Sequence, residues 1–249
     1  MQSTSPCDFL PWDTNFFGFR IARVVGHQLD PQRTHDILEW CKTQEIRCVY
    51  FLADSDHPST VRLAEDNGFR QVDIRVTLQC DMRDRRAMYR NDSSEVANLR
   101  TALSKDIPTL QAIAGASHTD TRFYADPLFP RQSCQALYET WIKGSCEGDA
   151  DVVLVAELEE QPVGYVSCHL FSNSSHGQIG LVGVASQAQG RGVGRALIEC
   201  SLDWFAEQEV ELVRIVTQGH NVPSQRLYQQ CGFLSYSVQL WYHKWMPNC

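Results

Sequence analysis

The stretch Leu181–Arg195, LVGVASQAQGRGVGR, constrains this chain more than any other. An apolar segment ends, glycines fall at 190, 192 and 194, and an amphipathic run begins at once. A strand–loop–helix of this kind bares backbone N–H groups and the positive end of a helix at one spot, which makes an anion site suited to phosphate. Two common phosphate motifs fail on spacing. A dinucleotide fingerprint wants its third glycine where Arg195 stands, and a P-loop wants a Lys-Ser or Lys-Thr that does not follow.

The remaining 234 or so residues can be placed around that loop by ordinary pattern reading of the 249-residue chain. Hydrophobic residues make up 43% and charged residues 21%, enough for a sizeable core and unlike a disordered chain. A net charge of −8 argues against general nucleic-acid binding. The first residues, MQSTSPCDFLPW, lack the basic and apolar regions of a signal peptide, and no apolar run approaches the roughly 20 residues of a membrane span. The expectation is a cytoplasmic protein without a membrane partner. Ten dispersed cysteines, with no C-x-x-C pair and no His/Cys cluster, read as reduced thiols and give no metal site.

Along the chain, residues 13–25 read as a turn into a strand, and residues 32–42 as a short helix. Residues 47–53 read as a buried strand, 59–67 as a helix stopped by Gly68, and 71–82 as an alternating strand. The charged segment 84–95 has no apolar period and is the expected linker, dividing an N-terminal domain, 1–83, from a second domain, 96–249. In the second domain, residues 96–103 read as a strand and 106–117 as a helix opened by Pro108. Cys134, Leu137, Tyr138, Trp141 and Ile142 mark an amphipathic helix ended by Gly144. A hairpin over 151–171, a strand over 178–184, a helix over 195–208, a strand over 210–218, a helix over 221–231 and a strand pair or one long strand over 235–245 complete an α/β (α+β) pattern.

An internal echo runs through this pattern. A shift of 164 residues places Leu38-Glu39-Trp40 on Leu202-Asp203-Trp204, Val49 on Val213, Arg62-Leu63 on Arg226-Leu227 and Gly68-Phe69 on Gly232-Phe233. The copies differ where chemistry would sit. Gly26-His27-Gln28-Leu29-Asp30 replaces the glycine loop, and Ala64 stands where the second copy has Tyr228. The N-terminal half therefore reads as a scaffold or acceptor-binding half.

The loop Gln189-Gly190-Arg191-Gly192-Val193-Gly194, in its strand–loop–helix setting, resembles the Q/R-x-x-G-x-G/A loop of the GCN5-related N-acetyltransferases. Over nearly the whole chain, WDTNFFGF, TRFYADPLFP, ETWIKGSC, GQIGLVGV and NVPSQRLYQQCGF look like the dTDP-fucosamine acetyltransferases. The resemblance implies a mixed, mostly antiparallel sheet flanked by helices, with a degenerate half beside a catalytic domain. It implies that acetyl-CoA is the acyl donor. Its pyrophosphate would lie on the amides of Gln189, Gly190, Arg191, Gly192, Val193, Gly194 and Arg195, and its arm along Leu181, Val182 and Val184. A backbone N–H near Val182, freed where strands splay, would polarise the thioester carbonyl. Asn221 resembles the family's asparagine that binds the arm of CoA. Thr121, Arg122, Phe123 and Tyr124 lie where the family admits its acceptor, with Arg122 suited to a nucleotide diphosphate and an aromatic to thymine.

Tyr228, two helical turns after Asn221, is the expected acid. A tyrosine near pKa 10 facing a thiol of about 8.5 would supply a hydrogen bond that strengthens on the leaving sulfur rather than a downhill proton transfer. Glu157, His169 and His176 are candidate bases near strand ends, with a chain of water as the alternative. No cysteine has the neighbours of an acyl-enzyme nucleophile. The expected reaction is direct acetyl transfer to the amine of a nucleotide-linked amino sugar. Acetylation of another amine, such as a protein N-terminus or a polyamine, and a non-catalytic CoA-binding module are the rivals. A homodimer is left open as the assembly.

Overall fold

A computed structural model describes residues 5–83, 96–171 and 175–247, so the expected linker lies outside the described residues. In chain order the elements are β1 (Cys7–Phe9), α1 (Pro11–Phe17), β2 (Ile21–Val24), α2 (Pro31–Thr43), β3 (Cys48–Asp54), α3 (Pro58–Asp66), β4 (Arg70–Asp81), β5 (Asn98–Thr101) and α4 (Ile107–Ser117). A helical turn, Arg122–Ala125, precedes α5 (Arg131–Gly144). Then follow β6 (Val152–Leu158), β7 (Gln161–Leu170), β8 (His176–Val184), α6 (Val193–Glu207), β9 (Leu212–Gln218), α7 (Val222–Gln230) and β10 (Leu234–Trp245).

These elements form two compact units that interleave along the sequence. The first comprises Met1–Arg75, Thr121–Phe129 and Val238–Cys249; the second comprises Val76–Asp120 and Pro130–Ser237. In the first unit the strand order is β1-β2-β3-β10, with β2 parallel to β3 and β10 antiparallel to it, Tyr242 facing Phe51. Its core gathers Ile37, Cys41, Val49, Phe51, Phe69 and Tyr242. In the second unit the order is β4-β9-β8-β7-β6-β5, parallel between β8 and β9 and antiparallel from β8 to β5. One face of this mixed sheet carries Val166, Cys168 and Ile179 into a core with Leu197, Ile198, Phe205 and Phe233. The other face turns Tyr165 toward α4 and α5, where His118 stacks on Tyr138.

The echo has a structural counterpart. Shifted by 164 residues, β3, α3 and β4 fall end for end on β9, α7 and β10, and α2 and α6 end together. The stops also match: Gly68 and Gly232 both have positive φ, 75° and 92°. The two copies nevertheless exchange their last strands. β10 closes on β3 in the first unit, and β4 lies beside β9 in the second.

One expected element takes a different form. Residues 13–25 were to enter a strand through a turn, but Pro11–Phe17 is a helix. Proline opens it in the tolerated first turn, and Gly18, at φ 78°, ends it with its N–H on Thr14 O. Trp12 and Phe16, four residues apart on this helix, stack at 5.1 Å, and the expected strand follows it as β2.

Candidate active site

The glycine loop sits on an open helix end. Gly190 and Gly192 adopt φ of 71° and 84°, a left-handed backbone that side chains disfavour. Gly194 serves differently: a Cβ there would meet Leu227 Cδ2 at 3.3 Å, so it lets α6 approach α7. Gly192 occupies the N-cap of α6 and places no side chain on the first-turn amides. Gln189, Gly190, Arg191, Gly192 and Arg195 are exposed, while Val193 is buried and anchors the turn. Gln189 Nε2 donates to Val184 O at 3.1 Å, tying the loop to the end of β8.

The corresponding helix start in the first unit is closed. Asp30 caps α2 with its own carboxylate, Oδ1 accepting the Arg33 N–H at 2.8 Å. A carboxylate in that place satisfies the orphan amide and repels phosphate. The two copies thus share a helix and differ in what stands on its N-terminus.

Strand β8 breaks its ladder on both sides near the loop. Val182 faces Val166 and Ile179 faces Cys168, so β8 carries one extra residue across this step. Ser167 lies opposite the bulge, and its Oγ accepts the Leu181 N–H at 2.8 Å. Strand alternation then turns the Val182 N–H away from β7. On that side the parallel ladder to β9 ends at Ile179 opposite Ile215. Val182 N–H is therefore aimed where no strand pairs with it in the ladder. Gly183 is shaped by the other face: a Cβ there would lie 2.6 Å from the Tyr165 ring.

Helix α7 carries Asn221 and Tyr228. Asn221 caps it, Oδ1 accepting the Ser224 N–H at 3.2 Å, so the side chain has a structural task already. Tyr228 is 5% exposed and packs in the cluster that Val182 and Val184 border. Burial pushes its phenol up to about 12, the Ser224 hydroxyl pulling weakly the other way. At neutral pH the phenol holds its proton firmly.

The expected bases fare unequally. Glu157 accepts from Arg100 and, at 3.0 Å, from Asn98, and the Arg100 hydrogen bond holds its carboxyl below the usual range. It is an ion-pair partner. His176 opens β8 and is exposed. His169 Nε2 is 3.5 Å from Ser167 Oγ, beside the bulge. A histidine that the sequence reading passed over lies on the same sheet face. His118 Nε2 is 3.0 Å from Tyr165 Oη, and burial pulls His118 down to about 4. Its neighbour Ser117 donates to Val184 O at 3.4 Å. Its signal was positional only, since it ends a helix just before the acceptor segment.

The acceptor segment belongs to the first unit. Phe123 and Phe129 are buried against Phe17 at 5.5 and 4.8 Å between ring centres. The Arg122 guanidinium lies 4.1 Å from the Tyr50 ring and 4.3 Å from the rings of Phe123 and Trp241. Its NH1 is 3.1 Å from His243 Nε2. A guanidinium only donates, so His243 Nε2 accepts and the ring's proton sits on Nδ1, 2.8 Å from Asp126 Oδ2. Burial lowers His243 to about 4, consistent with a neutral ring. Trp245 Nε1 donates to the same carboxylate oxygen at 2.8 Å. Thr121 is buried and Tyr124 half-buried. The Asp126–His243–Arg122 chain had no sequence signal, because 117 residues separate its first pair.

Known proteins bear on this arrangement. Residues 117–233 match the sequence profile of the acetyltransferase (GNAT) family. They are a GNAT acetyltransferase domain. Over 238 residues the chain is 26% identical to a dTDP-fucosamine acetyltransferase of Escherichia coli O6:H1, covering 94% of this chain and 96% of the relative. It is 26% identical over 140 residues to the spore coat polysaccharide biosynthesis protein SpsD of Bacillus subtilis, covering 56% of this chain and 48% of that one. Among solved structures, a GCN5-related N-acetyltransferase from Sphaerobacter thermophilus shares the fold with a TM-score of 0.66 at 17% identity, over 98% of this chain and 77% of the other.

GNAT enzymes draw acetyl from acetyl-CoA, and this chain is an acetyl-CoA-dependent N-acetyltransferase. The GNAT domain's own features suit that donor: an uncapped helix end for a pyrophosphate, a splayed β8 for an arm, and an amide at Val182 beyond the ladder. Among the described residues no group of three or more His, Cys, Asp or Glu is placed to hold a metal. No helix among them is long and apolar enough to cross a membrane.

Proposed function

We propose that the chain transfers acetyl from acetyl-CoA to the amine of a dTDP-linked amino deoxysugar by direct attack in a ternary complex. The observation that carries this reading is the likeness to a dTDP-fucosamine acetyltransferase along both halves, 94% of this chain, rather than along the GNAT domain alone. The amides from Gln189 to Arg195 bind the donor's pyrophosphate. Its arm follows Leu181–Val184, and the Val182 N–H stabilises the oxyanion that forms as the amine adds. Tyr228 keeps its proton and donates a hydrogen bond that strengthens as charge collects on the departing sulfur. Asn221 fixes the start of α7 and holds the CoA arm. Thr121, Arg122, Phe123 and Tyr124 belong to the acceptor side, and water carries the amine's proton away. The protein works in the cytoplasm on this reading.

Thiol release measured with dTDP-amino sugars, peptides and polyamines tests the proposal. A kcat/KM for a dTDP-amino sugar at least a hundredfold above the other amines is expected. Preference for a peptide or a polyamine would overturn the acceptor assignment. Tight acetyl-CoA binding without turnover on any amine would favour a non-catalytic module.

A further inference from the structure

Strand β7 carries Val166 and Cys168 into the core and so sets Tyr165, Ser167 and His169 on its other face. Strand β8 meets these three with glycines. A Cβ at Gly180 would lie 2.6 Å from His169 Nε2 and 2.7 Å from Ser167 Oγ. Only a bare backbone lets the imidazole and the hydroxyl lean over β8 at its bulge. The three polar groups have different commitments. Tyr165 Oη is taken by His118 Nε2 at 3.0 Å, and Ser167 Oγ by the Leu181 N–H at 2.8 Å. His169 Nε2 has only that serine oxygen at 3.5 Å, the outer limit of a hydrogen bond. With the ring's proton on Nδ1, the lone pair on Nε2 is free to take another. On the far side of β7, the carboxylate before Val152 is Asp151, and it is spent on the Leu170 N–H at 2.6 Å.

The same place is open to solvent. β8 is an interior strand, yet Gly180, Leu181 and Val182 are each half-buried, between a buried Ile179 and a buried Gly183. His169 beside them is half-buried too. The opening begins where the ladder to β9 ends. Tyr228 and the helix behind the glycine loop pack on the other face, in the core that Val182 and Val184 border. A thioester whose sulfur meets Tyr228 therefore leaves the His169 face to the incoming amine. Gly180 and Val182 are two residues apart, about 7 Å along a strand, a span that water bridges.

We propose that His169 Nε2 receives the amine's proton through that water, and that Ser167 holds the imidazole over β8. This rests on the placement of the thioester carbonyl at the Val182 N–H in the function proposed above. The neutral amine's lone pair forms the C–N bond as the carbonyl's π pair moves onto oxygen at that N–H. The nitrogen then gives a proton by way of water to Nε2. The oxygen's pair returns to carbon, and the C–S bond breaks with its pair on sulfur. The imidazolium donates to the second lone pair of Ser167 Oγ until its proton passes through solvent to the thiolate. Amine and thioester are thereby converted to amide and thiol with no proton left over.

Steady-state kinetics of the full chain, with the amine it acetylates fastest, test this. His169→Gln keeps a hydrogen-bonding side chain but takes no proton. Its kcat should fall at least tenfold, with the acetyl-CoA KM and the Tm unchanged. His169→Ala should fall as far, and added imidazole should raise its kcat at least threefold without affecting the parent. A His169→Gln enzyme with the parental kcat, or an alanine variant indifferent to imidazole, would show a structural histidine and overturn the proposal. The two readings fail separately. Acetylation of a peptide or a polyamine in preference, with the dependence on His169 intact, removes the dTDP-sugar acceptor and leaves the histidine. Acetylation of a dTDP-amino sugar at a kcat indifferent to His169 does the reverse.

Discussion

Ala64 and Tyr228 occupy the same place in the two copies. The carbonyl of each accepts the N–H of a phenylalanine five residues on, Phe69 at 2.9 Å and Phe233 at 3.0 Å, across a glycine of positive φ. The backbone of this stop is therefore indifferent to the side chain it carries. Alanine fills the position in one unit with no exposed surface, so packing alone does not call for a phenol at Tyr228.

Tyr228→Phe keeps the ring and removes the hydroxyl. We expect kcat to fall roughly a hundredfold, the scale of general acid assistance, with acetyl-CoA affinity unchanged. Steady-state kinetics and titration of the donor measure the two effects. An unaltered kcat would remove Tyr228 from the chemistry.

Gly192→Asp sets a carboxylate at the N-cap of α6, the arrangement that Asp30 already shows on α2. Acetyl-CoA binding should be abolished by added charge and occupied amides. Gly192→Ala carries only the strain of a left-handed residue, on the order of 1 kcal/mol, and should bind the donor with less than a tenfold loss. Calorimetric titration of both proteins separates charge from backbone strain.

His118 and His243 are both held at about 4 by burial. The unfolded chain, with histidines near 6.5, binds more protons than the folded chain between those values. Stability rises with pH wherever the unfolded state holds more protons. It should therefore be level above about pH 6.5 and fall as pH drops from there toward 4. Denaturant midpoints at intervals from pH 7.5 to 4.5 check the slope, and His243→Gln should flatten it.

A chain cut after residue 83 should not yield a folded first unit. Its β3 would lack β10, which pairs with it from Gln239 to Trp245, and the Arg122 segment would be missing as well. Circular dichroism and thermal melts of residues 1–83 should show no cooperative transition. Co-expression with residues 96–249 should restore one.

Local chemistry was legible in the sequence by itself. Gly190, Gly192 and Gly194 announce a strand, a turn and an uncapped helix end, because their spacing leaves few other uses for three glycines. The echo from Leu38 to Phe69 was visible because each copy repeats the same helix, strand, helix and glycine stop. These are short-range matters of propensity, capping and period. What the tertiary structure decided is long-range pairing. The exchange of β4 and β10, the ending of the β8–β9 ladder at Ile179, and the meeting of Asp126 with His243 depend on which strand lies beside which, and strand patterns of equal period do not specify a neighbour.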